Sequence, residues 1–266
     1  MTTVHSVNME RDPRGFATLW LDRAEKNNAF DARIINELTQ AVAQVEAEPG
    51  LRFILLRGRG RHFSAGADLA WMRASAQLSR QANLDDAQAL AELMYRLAGL
   101  PIPTLAVVQG AAFGGAVGLV SCCDMAIGAE DALFSLSEVR IGLIPAVISP
   151  FVVKALGERQ ARRYMLSAER FSGTDALALG LLHEVAPAAE LDALVERWVS
   201  NLLQNSPAAL RACKELLAEV GGGLPAAQVR RYTEGAIADI RISAEGQEGL
   251  DAFLEKRSPA WQEVSP

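Results

Sequence analysis

The stretch QGAAFGGAVGLVSCCDMA, residues 109–126, decides the fold. It continues a short apolar run, TLAVVQG (104–110), whose pattern predicts a buried strand. Glycines at 114, 115 and 118 then open what reads as a helix. The first amides of a helix have no internal partner, and the helix dipole favours an anion beside them. A glycine-rich turn of this kind usually cradles phosphate, yet this one carries neither Lys nor Arg. The Walker pattern needs a Lys followed by Ser or Thr, and the dinucleotide fingerprint needs G-x-G-x-x-G; neither spacing fits. What remains is a weak or transient anion in apolar surroundings, held by backbone dipoles.

Upstream, RHFSAGADL (61–69) has the same character. It follows the apolar run RFILLRG (52–58), a predicted buried strand, and precedes a helix expected at about 68–76. Two strand-to-helix turns can each give one N–H to one oxygen, and a thioester enolate needs that much. Taken singly, each glycine loop is more simply read as a tight turn; the pair is what points to an oxygen site.

Further out, GFATLWLD (15–22) alternates in part and predicts a strand. Asp31 opens a helix whose apolar face is Ile34, Ile35, Leu38, Val42 and Val45, and Glu48-Pro49-Gly50 stops it. Residues 85–98 read as a helix broken by Pro101 and Pro103, and DMAIGAE and ALFSL read as two short strands. Strand and helix thus alternate through roughly the first 190 residues, which argues α/β. From about 189 onward no strand signal remains. Ser206-Pro207 is an N-cap followed by Pro at the first helical position, GGGLP (221–225) is a break, and helices follow at about 226–241 and 244–257. The expected organisation is an α/β body over 1–195 and a helical region over 196–266.

The 266 residues carry a formal net charge of −6, which argues against a general nucleic-acid or membrane-surface binder. Cys122, Cys123 and Cys213 match no metal spacing and cannot all pair with one another. Small buried thiols in a reducing compartment are the simpler account, and the N-terminus MTTVHSVNMERDP lacks a signal-peptide pattern, so a cytoplasmic location is expected.

FSAGADL, then GAAFGGAVGL, then SEVRIGLIP resemble the enoyl-CoA hydratase/isomerase (crotonase) family. LDRAEKNNAF (21–30), FSGTDALALGLLHEV (171–185) and AFLEKRSPAW (252–261) extend the resemblance along the whole chain. The resemblance implies a crotonase-like spiral of repeated ββα units with a C-terminal helical trimerisation region, assembled as a trimer or a dimer of trimers. It implies an acyl-CoA substrate and no separate cofactor, since coenzyme A is part of the substrate. Carried over by position, the backbone N–H groups of Ala67 and Gly115 form the oxyanion hole. Ala65, Asp68, Leu69 and Gly114 flank it, Lys26 lies in the early CoA-contacting segment, and Lys256 lies in the tail that reaches CoA in a neighbouring subunit. Arg57, Arg59 and Arg61 are further candidates for the CoA phosphates.

In the family's hydratases two glutamates share water activation and proton delivery. One falls at Glu138; the other falls at position 118, which is Gly118 here. Glycine moves no proton, so Glu138 does both transfers, or the enzyme is a double-bond isomerase, or the chain is a non-catalytic acyl-CoA or RNA binder. Val139, Ile141, Leu143 and Ile144 are expected to wall Glu138 from water, and burial suits proton transfer near neutral pH. The combination of motifs is most similar to bacterial 3-methylglutaconyl-CoA hydratases of leucine breakdown. That implies a branched acyl group ending in a carboxylate. Gly118 would leave room for the branch, and Arg140, on the same side as Glu138 in an extended segment, would pair with the carboxylate. Ala146-Val147-Ile148 stands where the family commonly has Gly-Gly, so the pocket wall is altered.

Overall fold

The computed structural model describes residues 5–262. β1 (Val7–Asp12) and β2 (Phe16–Leu21) form an antiparallel hairpin at one edge of a six-stranded sheet. β3 (Ile54–Gly58), β4 (Thr104–Val108), β6 (Met125–Ala129) and β9 (Glu184–Ala186) continue it in parallel, in the order β1-β2-β3-β4-β6-β9. A second sheet holds β5 (Ala111–Phe113), β7 (Leu133–Ser135) and β8 (Phe171–Ser172).

The two sheets explain the spiral. β4 enters the large sheet, β5 crosses to the small one, and α4 (Gly115–Cys122) closes the turn. β6 and β7 repeat the step before α5 (Ser149–Ser167). The turn before, from β3 to α2 (Leu69–Ser75), makes the same crossing with a single bridge, Ser64 beside Ala112. Each turn therefore gives one element to each sheet, which is the crotonase-like ββα spiral expected from the motifs.

The central strands are apolar because both faces are covered. β4 is buried along its whole length. α1 (Ala32–Glu46) starts where expected, with the Asp31 carboxylate accepting from Ile34 N–H, and it buries Ile34, Ile35, Leu38, Ala41, Val42 and Val45. It packs with α3 (Arg80–Gly99), which begins a turn earlier than its apolar pattern indicated because Ser79 caps it. α6 (Gly173–Ala178) and α7 (Leu191–Leu203) complete the body, and no strand follows β9 among the described residues. β1 was not legible as a strand, since its burial pattern is mixed and its polar residues outnumber its apolar ones.

α8 (Pro207–Gly221), α9 (Ala226–Ile242) and α10 (Ala244–Glu255) form the helical end. Ser206 caps α8 as expected, accepting from Ala209 N–H at 3.0 Å. No described helix is long and apolar enough to cross a membrane.

Candidate functional site

The two glycine loops run side by side. Ser64 N–H donates to Ala111 O at 2.9 Å, and Phe113 N–H donates back to Ser64 O at 3.1 Å. Phe30 then joins the parts that matter. Its N–H donates to Gly66 O and its carbonyl accepts from Asp68 N–H, both at 2.7 Å, so it brackets Ala67. Its ring lies 3.2 Å from where a Cβ on Gly115 would stand. Ala67 and Gly115 are thus gathered around one phenylalanine. Among the described residues, neither of their N–H groups has an acceptor. Backbone donors left free at the start of a helix and in a neighbouring loop are places for an oxygen.

Asn28 fixes the arrangement from below, and the sequence reading missed it. It is fully buried, with a left-handed φ of 52–53° shared with Asn27. Its amide donates to Arg59 O at 2.9 Å and His62 O at 2.8 Å, and its carbonyl accepts from Arg23 N–H. Asn27 O accepts from Ala65 N–H at 2.9 Å. Consecutive Asn residues are the available signal, because Asn tolerates this backbone region better than other non-glycine residues.

Gly114 is the other constraint. Its φ of 53° and ψ of −118° suit glycine, and a Cβ there would lie 3.1 Å from Glu138 Oε1. Position 114 has no side chain so that the Glu138 carboxyl can lie against the start of α4. Glu138 Oε2 is buried and has no hydrogen-bond partner among the described residues. Burial pushes the Glu138 carboxyl above the ordinary glutamate range, opposed by its own backbone N–H. The arrangement favours the protonated carboxyl more than an exposed glutamate would, on a group set against the start of α4, as proton transfer requires.

Several expected neighbours are placed differently. Ile141, Leu143 and Ile144 are 58%, 54% and 72% exposed, so they do not wall Glu138 from water within one chain. Glu138–Ile141 forms a 3-10 turn rather than an extended segment. With three residues per turn, Arg140 does not project alongside Glu138; it is exposed and unpaired among the described residues. Gly118 leaves no room for an acyl branch: a Cβ there would lie 2.8 Å from Ile148 Cβ, closer still to its Cγ2, and 3.2 Å from Met94 Cε. The volume vacated by a missing side chain at 118 is occupied by Ile148, which is 3% exposed.

Of the other binding candidates, Asp68 caps α2, accepting from Ala70 and Trp71 N–H at 2.8 and 3.3 Å. The Trp71 and Ala70 bonds hold its carboxyl below the ordinary range, with Lys26 and Arg23 adding to this. Lys26 Nζ lies 3.7 Å from Asp68 Oδ2, and Leu69 is 73% exposed beside it, so these three share one rim with Ala65 and Ala67. Lys256 is exposed at the end of α10, in a left-handed cap conformation. Its N–H is committed to Ala252 and Phe253, and its amino group has no partner among the described residues. Arg57 pairs with Asp192, Arg59 with Glu10, and both guanidiniums lie over the Trp20 ring, at 4.8 and 3.7 Å. They line a cleft of ≈ 710 Å³ that includes Arg61, Ala65 and Phe113 but not Glu138. His62 is structural, its Nδ1 accepting from Ala111 N–H at 3.0 Å.

The model of the enoyl-CoA hydratase/isomerase family matches residues 11–264. This chain belongs to that family. A putative enoyl-CoA hydratase of Thermus thermophilus is 35% identical over 244 residues, covering 91% of this chain and 96% of that protein. Among solved structures, an enoyl-CoA hydratase from Shewanella pealeana is 47% identical with a TM-score of 0.92, covering 97% of each chain. A putative enoyl-CoA hydratase/isomerase (crotonase) from Legionella pneumophila is 41% identical with a TM-score of 0.92, covering 97% of this chain and all of that one (100%). An acyl-CoA substrate is consistent with membership of the enoyl-CoA hydratase/isomerase family. Family membership leaves the acyl group to the walls around Glu138.

Proposed function

We propose that the protein adds water across the double bond of an α,β-unsaturated acyl-CoA, with coenzyme A entering as part of the substrate and no separate cofactor. The observation that carries this is the buried Glu138 carboxyl, with an unpartnered oxygen, set against the helix start that holds the Gly115 amide. One neutral carboxylic acid has what the step needs. Water oxygen bonds to the carbon β to the thioester and loses a proton to one oxygen of Glu138. The proton on the other oxygen passes to the α carbon. The electron pair of the double bond moves through the thioester carbonyl, whose oxygen rests on the Ala67 and Gly115 amides, and Glu138 ends protonated as it began. Aiming fixed dipoles at charge present only in the transition state is the efficient use of binding energy.

For the acyl group we propose 3-methylglutaconyl-CoA or a close branched analogue. The motif combination supports it; Arg140, turned away from Glu138 by the 3-10 turn, does not. Gly118 does not support it, since Ile148 fills the space a branch would need. We also propose a homotrimer or a dimer of trimers in the cytoplasm, with Lys256 meeting CoA across the subunit boundary; the exposed apolar face of α10 supports the assembly.

A second reading is double-bond isomerisation, favoured by the apolar contact over Gly118, where Ile148 and Met94 offer nothing to orient water. Incubation with 3-methylglutaconyl-CoA and mass analysis of the product separates the two. A gain of one water supports hydration. An isomer of unchanged mass, formed from any enoyl-CoA in a branched panel, supports the second reading. Salt-dependent RNA binding without turnover overturns both.

A further inference from the structure

Gly114 caps α4 and Gly118 lies one turn into it, its N–H donating to Gly114 O at 3.4 Å. Glu138 covers the first and Ile148 covers the second. The stretch from 138 to 148 is therefore held against the first turn of α4 at both ends. We infer that Ile148 is the specificity-determining residue of this site, fixing the size and shape of acyl group that fits beside Glu138. The inference rests on the reading above, that the acyl group lies beside Glu138.

Ile148 has no easy retreat. It sits at the start of α5, where its carbonyl accepts from Phe151 and Val152 N–H, each at 3.1 Å. The next residue is pinned as well, Ser149 donating to Ala146 O through its N–H at 3.2 Å and its hydroxyl at 2.8 Å. Phe151 packs edge-on against Tyr95 of α3, with ring centroids 5.1 Å apart. Behind the contact stands Met94, fully buried, its sulfur 3.6 Å from Cys122 Sγ. A β-branched side chain is stiff at χ1, so on this fixed backbone Ile148 presents its methyl groups in one place. A close-packed wall of this kind does not yield to an extra methylene in the ligand.

The test compares wild type with Ile148→Val and Ile148→Ala across enoyl-CoAs of increasing length and branching, reading the ratio of kcat/KM between members. Trimming the wall should shift that ratio toward bulkier acyl groups, by about 10–200-fold for the alanine variant. A ratio that does not move, while Tm falls as for any trimmed core isoleucine, overturns the inference. A second arm needs no substrate. Gly118→Ala should lower Tm by roughly 4–10 °C through overpacking against Ile148. In an Ile148→Gly background the same Gly118→Ala change should lower Tm far less, because the side chain it overpacks is gone. A Gly118→Ala protein as stable as wild type overturns the interlock. If wild type turns over no enoyl-CoA, the reaction reading fails by itself. The same ratio, read then from dissociation constants of saturated acyl-CoAs, still decides whether Ile148 shapes the pocket.

Discussion

The α/β body and the helical end are held by different physics. The body buries an extended apolar core, from Val7 to Leu202, and its central strand is sealed along its length. The end buries almost nothing: α8 and α9 have no buried residue and α10 has only Ala252. It is attached instead by cationic side chains on backbone carbonyls. Arg52 donates to Leu203 O, Asn205 O and Trp261 O; Arg211 donates to Leu51 O; Lys214 donates to Ile102 O and pairs with Asp124. Meanwhile Ile242, Phe253 and Leu254 are 79%, 81% and 74% exposed. Exposed apolar groups of that size, gathered at one end, mark an interaction surface. The body completes its own core and the end leaves its apolar face open, so the proposed assembly would draw on the end and the chemistry on the body.

The largest effect expected falls on the chemistry side. Glu138→Gln keeps the shape and removes the proton carrier, so kcat should drop by about 10²–10⁴-fold with acyl-CoA binding retained. Steady-state kinetics with calorimetric binding of a saturated acyl-CoA checks it; near-normal turnover would sink the assignment. The oligomer should not change in this variant. Phe253→Ser combined with Leu254→Ser is the mirror experiment. Sedimentation velocity should show the assembly falling toward monomer, while the body's near-ultraviolet spectrum stays native. An assembly that survives intact places the subunit contact elsewhere than α10.

Next in size are two polar ties, one from each region. Asn28→Ala strands the carbonyls of Arg59 and His62 and places alanine at a left-handed φ, so it should cost about 2–4 kcal/mol in denaturant unfolding. Arg52→Ala releases only the end. Its expected signature is faster amide exchange around 203–205 and 261, with global unfolding of the body moved by about 1 kcal/mol or less. Equal effects of the two on global stability would mean that body and end fold as one unit.

How far the sequence could be read followed the same division. Strong periodicity and caps were legible: Asp31, Ser206 and the apolar run of β4 behaved as local chemistry dictates. The two free amides were legible because a strand-to-helix turn rich in glycine has few other uses. What was hidden depends on residues distant in sequence. Nothing near Gly118 announces that Ile148 fills the space above it, and nothing in SEVRIGLIP shows a 3-10 turn that swings Arg140 away from Glu138. The burial of Glu138 was anticipated but assigned to the wrong neighbours, since Ile141, Leu143 and Ile144 face outward and the contact is with Gly114.

The smallest expected effect separates burial of Glu138 from its role in catalysis. Its carboxyl titrates above the ordinary glutamate value because burial disfavours the charged form. The folded protein therefore binds that proton more tightly than the unfolded chain does. Its contribution to stability is fully present below the unfolded value of about 4.3 and is lost as pH rises through the raised folded value. Glu138→Gln abolishes this dependence. The variant should match wild type in acid and become slightly more stable than wild type as pH rises past the folded value, while its catalysis stays low at every pH. For wild type, kcat/KM should fall over that same upper range, because the neutral acid is the form that donates to the α carbon. Denaturant midpoints of both proteins across pH 4–8, set beside the wild-type rate profile, check the coincidence. Stability and rate that change in different pH ranges would show that the group lost from catalysis is not the buried carboxyl over Gly114.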